Sequence, residues 1–170
     1  MQSPVVNVSF SLLITLVLLA GCTQQGIDQR AVMTANAELD ARFIKAVKEK
    51  DLDAVMDCWW KSPDAVFYPA DNLQGRKGWD AIRASTKLML DGMGSITSAE
   101  VTESNYVILG NAVMGTGLLT LTFVPKGSPK PIVLTTRYTD LREIKNGKWM
   151  YTYGHESMNP MMGSEPLVGK

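Results

Sequence analysis

The sequence predicts an α+β fold: three N-terminal helices packed on a strongly curved, mainly antiparallel sheet, giving a cone-shaped, barrel-like domain. Three observations carry this prediction. Between Gln29 and Met89, apolar residues recur at helical spacing in three separate stretches. Past Asp91-Gly92-Met93-Gly94 the pattern changes to the two-residue alternation of strands. Near the end, Lys145-Asn146-Gly147-Lys148 joins two extended runs, and Asn-Gly is a strong hairpin signal because both residues accept positive φ. Helices first and strands after is the order of domains whose helices cover one face of an antiparallel sheet. A sheet curved around a helix leaves a cone, and its open end is where a ligand enters.

Taken in order, the chain begins with an address. Phe10 to Ala20 is apolar but shorter than the roughly 20 residues a spanning helix needs. It ends in Leu19-Ala20-Gly21-Cys22, which resembles a bacterial lipobox, although the segment before it carries no Lys or Arg. The resemblance implies a signal peptide over 1–21, lipid on Cys22 and a polar tether over 22–29. Thr23 after the lipidated cysteine points to the outer membrane of a Gram-negative cell, with the domain facing the periplasm. A domain over 30–158 and a loose tail over 159–170 complete the layout.

Within the domain, Val32, Ala35, Leu39, Phe43, Ala46 and Val47 form the stripe of a first helix. Asp51 reads as the N-cap of a second, whose face is Leu52, Val55, Met56 and Trp59. Ala65 to Tyr68 is a short strand stopped by Pro69, which cannot donate to a ladder. Gly75 and Gly78 bracket the start of a third helix, with Trp79, Ile82, Thr86 and Met89 inward. Gly92 or Gly94 is expected to end it in a left-handed turn. Ile96 to Leu109 and Ala112 to Val124 form a long hairpin around Gly110-Asn111, and Pro125 to Pro131 leads into the closing hairpin.

That closing hairpin holds the candidate chemistry, and its register decides which side chains meet. A two-residue turn pairs Lys145 with Lys148 and sets Tyr138 against His155. A three-residue turn bulged at Gly147 sets Arg137 against His155 and Thr139 against Tyr153. The bulged register is favoured. Arg137-x-Thr139-x-Leu141, then Asn146-Gly147-Lys148-Trp149, then His155-x-Ser157 resemble the closing hairpin of the SnoaL-like domains of the nuclear-transport-factor-2-like superfamily. The resemblance reaches back through Asp51-Leu52-Asp53-Ala54-Val55, Ala65 to Pro69 and Gly78-Trp79-Asp80-Ala81-Ile82 to Asn36. It implies a conical pocket into which the hairpin's arginine and histidine look. Such folds host enzymes, binders and assembly modules alike, so the resemblance does not choose among them.

The candidate catalytic residues are therefore His155, the single histidine of the chain, and Arg137. Beside an arginine, His155 would sit neutral and able to accept a proton, while Arg137 could hold a carboxylate, enolate or oxyanion. Trp59, Phe67, Tyr68, Tyr151, Tyr153 and Ser157 are the candidate ligand contacts. A lone histidine on an aromatic strand can equally be a structural residue. The ketosteroid isomerases of the superfamily carry an aspartate immediately before a proline on the first strand; here Tyr68 precedes Pro69, and a phenol is a poor base at neutral pH. Asp71 could replace it only if its loop turned inward.

Composition narrows the remainder. Lys plus Arg and Asp plus Glu number 17 each, so no basic footprint points to nucleic acid. Cys22 and Cys58 are the only cysteines, so lipidation of Cys22 precludes an internal disulfide, and Cys58 reads as a small buried hydrophobe. No phosphate-binding glycine loop, CxxC or HExxH motif occurs, so no metal or cofactor is expected. Three readings stay open: a lipid-anchored binder of a small, partly apolar, anionic or carbonyl-bearing ligand; a cofactor-independent lyase, isomerase or cyclase using His155 and Arg137; and a homodimeric assembly module.

Overall fold

A computed structural model describes residues 28–158. Helix α1 (Gln29–Glu49) starts at Asp28, whose carboxylate accepts the amide of Ala31 at 3.1 Å, and ends at Lys50 in a left-handed conformation. Asp51 then caps α2 (Leu52–Met56) by accepting from Ala54 N at 3.0 Å, as its position predicts. Strands β1 (Val66–Tyr68) and β2 (Arg76–Lys77) form a brief hairpin, and α3 (Trp79–Gly92) follows from Gly78. Four long strands complete the fold: β3 (Met93–Leu109), β4 (Ala112–Pro125), β5 (Ile132–Lys145) and β6 (Lys148–Met158).

The strands form one sheet in the order β2-β1-β6-β5-β4-β3, antiparallel except where β1 runs parallel to β6. The helices pack on its concave face, and the sheet stays open rather than closing into a barrel. Its inner face is set by alternation. Along β4, Val113, Leu119, Leu121 and Phe123 are buried, and the last three meet Ala46 and Val47 of α1 and Val55 of α2. A second cluster joins Leu39, Met56, Trp59, Ile82 and Tyr151. Trp60, off the helical stripe, is half-buried with Lys145 Nζ 4.2 Å from its ring. Cys58 is buried, and burial first of all pushes its thiol up to about 11, which suits the packing role.

Two expectations are corrected. No left-handed glycine ends α3: the chain passes directly into β3 at Met93, whose φ and ψ are extended. Gly94 serves a different need, since a Cβ there would lie 2.7 Å from the carbonyl oxygen of Val124. The second correction concerns the closing hairpin. Its turn is the two-residue one: Lys145 pairs with Lys148, with Asn146 and Gly147 both at positive φ (53° and 76°). A bulge does exist, but on β6 rather than at Gly147. Arg142 pairs with Tyr151 and Leu141 with Tyr153, leaving Thr152 as the extra residue.

Candidate functional site

The Thr152 bulge reverses the facing of everything after it. Tyr151 points inward; past the bulge the inward positions are Gly154, Glu156 and Met158. Their partners on β5 are Asp140, Tyr138 and Thr136. Arg137 pairs with Ser157 and Thr139 with His155, on the outer face. Neither register expected from the sequence therefore holds beyond Thr152, and Arg137 and His155 are not opposite each other. Both are exposed. His155 borders a small hollow inside the cone, but its ring meets Tyr68 edge-on at 6.4 Å, and Tyr153 lies 6.2 Å from the same Tyr68 ring. Tyr68, Tyr153, His155 and Ser157 thus make an outer-face group. Trp59, Phe67 and Tyr151 remain on the inside.

Two polar arrangements occupy the interior. At the closed end Arg142 is fully enclosed, at 0% exposure. Its Nε and Nη2 donate to the carboxylate oxygens of Asp140 at 2.6 and 2.9 Å, and Nη1 donates to the Asn36 carbonyl at 3.1 Å. Nη2 also lies 2.9 Å from Asp40 Oδ1. The hydroxyls of Tyr106 and Tyr151 donate to Asp40 at 2.6 and 2.7 Å, and the guanidinium stacks about 5 Å from both rings, at 5.0 and 5.1 Å. Burial works against the Arg142 charge, but the contacts with Asp140 outweigh it and hold the guanidinium protonated. Burial and then the Asp40 bond push Tyr106 up to about 12, so it stays a donor. Gly115 and Gly117 make room: a Cβ on Gly115 would stand 2.5 Å from Arg142 Nη2, and one on Gly117 would stand 2.6 Å from the Tyr138 hydroxyl.

Next to this cluster is a cavity of about 530 Å³, within the range of small-molecule sites. Phe43, Trp59, Phe67, Leu119, Leu121 and Leu134 supply apolar wall, and α3 contributes Thr86 and Met89. The loop after β1 forms one side, with Asp71 turned to the cavity as an inward-facing loop requires. Glu156 lines this cavity and also the adjoining hollow of about 50 Å³, whose far wall holds Asp40 and Asp140. Glu156 is half-buried as a residue, and its carboxyl is surrounded closely enough that desolvation, with Asp71 adding repulsion, raises it to about 7. The side-chain oxygens of Thr136 and Tyr138, both buried, have no hydrogen-bond partner.

The family model of the SnoaL-like domain matches residues 37–162. The chain belongs to that family. Solved structures carry the same architecture. A nuclear-transport-factor-2-like superfamily protein from Salmonella enterica aligns at TM-score 0.71 and 16% identity, over 83% of this chain and 99% of its own. A protein of the same superfamily from Shewanella oneidensis aligns at TM-score 0.59 and 23% identity, over 74% of this chain and 98% of its own. A hexachlorocyclohexane dehydrochlorinase, LinA type 2, aligns at TM-score 0.66 and 18% identity, over 78% and 88%. At these identities the likeness establishes the fold. A comparison with curated proteins found no match.

The SnoaL-like domain thus has its cone, but not with the polar residues the sequence nominates. Glu156 and Thr136 line the main cavity, His155 reaches only the small hollow beside it, Arg137 is on the outer face, and the buried arginine is Arg142. The facing of Thr136, Tyr138 and Arg142 follows from the two-residue turn, and that of Glu156 only once the Thr152 bulge is known. Among the described residues no group of His, Cys, Asp and Glu is arranged to hold a metal ion.

Proposed function

We propose that this SnoaL-like domain binds a small, mainly apolar molecule inside the cone. The observation that carries the reading is the cavity of about 530 Å³, whose aromatic and aliphatic walls are interrupted by few polar groups. An anionic ligand loses its support, because the arginine meant to hold it lies on the outer face. The test uses a neutral apolar probe, 2-naphthylmethanol, followed by calorimetry. Binding should occur and should weaken in Leu121→Trp, whose larger side chain narrows the cavity. Absence of binding to the unaltered protein, or binding indifferent to the narrowed cavity, would defeat the reading.

A second reading, a cofactor-independent lyase or isomerase, draws on Glu156: a carboxyl near neutrality in an apolar site is suited to moving a proton. One fold relative is a dehydrochlorinase. If the domain is such an enzyme, Glu156 rather than His155 is the residue placed to act. The homodimer reading draws on Val107, Leu109 and Val133, exposed at 39%, 48% and 56% on the outer sheet face. Sedimentation at micromolar concentration separates dimer from monomer.

The cell-envelope address belongs to the same proposal and rests on Leu19-Ala20-Gly21-Cys22, which lies outside the described residues. Among the described residues no helix is long and apolar enough to cross a membrane. Cys22→Ser should abolish acyl labelling and release the protein from the membrane fraction. Labelling that persists in this variant would remove the anchor.

A further inference from the structure

We infer that the ligand of this cavity is an apolar cation, a compact aromatic or hydrocarbon body with one ammonium group held against Glu156. The inference rests on the cavity reading above and adds the charge of the occupant. Among the described residues, no Lys, Arg or His forms an ion pair with Glu156. The charged and titratable groups around it are mostly of its own sign or neutral. Asp71 comes from the loop after β1, Tyr138 stands opposite on β5, and Asp40 and Asp140 lie across the small hollow. His155, next in sequence, is on the outer face. Arg142 is already taken by Asp40 and Asp140, and Arg76 at the mouth donates Nη1 to the Gln74 carbonyl at 2.8 Å. The cavity therefore holds an uncompensated carboxyl, for which a proton or a cationic ligand is the natural partner.

The walls fit the same occupant. Trp59, Phe43 and Phe67 line the cavity, and aromatic faces attract an ammonium. An ammonium has three donors to place. The Glu156 carboxylate offers acceptors on the cavity wall, and Asp71 adds a second carboxylate there. A carboxylate ligand would instead meet Glu156 and Asp71, against Arg76 as the one cation among the described lining residues.

The test compares three probes of one shape on the full chain: 2-naphthylmethylamine, 2-naphthylmethanol and 2-naphthoate. At pH 8 the amine should bind roughly tenfold or more tightly than the alcohol, as expected of a charge-assisted contact, and the carboxylate should bind least. Below about pH 7 the amine must displace the Glu156 proton, so its advantage should shrink by up to about tenfold per pH unit, with proton release visible in buffers of different ionisation enthalpy. Glu156→Gln should reduce the amine to the level of the alcohol and remove the pH slope. Equal binding of amine and alcohol at pH 8, or tightest binding by the carboxylate, would overturn the inference while leaving the cavity reading intact. Binding by none of the three would overturn both. The pH series on the unaltered protein decides the matter even if the variant fails to fold.

Discussion

At the closed end of the cone, Asp40, Asp140, Arg142, Tyr106 and Tyr151 bond to one another at 2.6–2.9 Å. A few residues further along, Glu156 lines an apolar cavity, with no ion pair for its carboxyl among the described residues. Among the described residues, Asn36 Oδ1 and the Tyr138 hydroxyl lack a partner near the closed end. Burying a polar group is tolerable when its bonds are made, and the first set makes them. Glu156 leaves its bonding capacity turned toward a cavity. The contrast is between carboxylates paired within the fold and one left without an ionic partner.

Breaking the closed end should have the largest effect. Arg142→Met removes the guanidinium and strands Asp40 and Asp140 together in the interior, at a cost of roughly 3–5 kcal/mol. Chemical denaturation should show this loss at neutral pH. A variant as stable as the parent would mean that the cluster is not a unit of the fold.

The open end should appear in the pH dependence of stability. Glu156 titrates at about 7 in the folded protein against an ordinary 4.5, so the folded state binds more protons between those values. Stability from this group is present below about pH 4.5 and is lost as pH rises through 7, by about 3 kcal/mol in all. Glu156→Gln should flatten that part of the profile. Smaller again is Gly117→Ala, where the added methyl displaces the Tyr138 hydroxyl; denaturation should show a cost of about 1–3 kcal/mol. Arg137→Met should change stability by no more than about 0.5 kcal/mol and leave probe binding as it is, because the side chain is exposed on the other face.

Much of the fold was legible in the sequence because its signals are local. The Asp51 cap, the Asn146-Gly147 turn and the change of period after α3 each act over a few residues. The site was less legible because it depends on one residue in β6. Thr152 carries no mark of a bulge, yet it turns Glu156 inward and His155 outward. Arg137 and Arg142 are an odd number of positions apart, so alternation puts them on opposite faces without saying which one is inside. Gly115 and Gly117 were the available clue. Two glycines at one parity in an otherwise apolar strand imply large side chains on the facing strand, and here those are Arg142, Asp140 and Tyr138. Asn36 and Asp40, one turn apart on the inner side of α1, point to the same place.

The most direct measurement is a carbon-detected NMR titration of the Glu156 side-chain carboxyl in the unaltered protein. With Glu156 inside the apolar cavity, its midpoint should fall near 7 and should move downward when 2-naphthylmethylamine is added. A midpoint near 4.5 that ignores the probe would contradict the account, since it would place the carboxyl in water and the Thr152 bulge elsewhere.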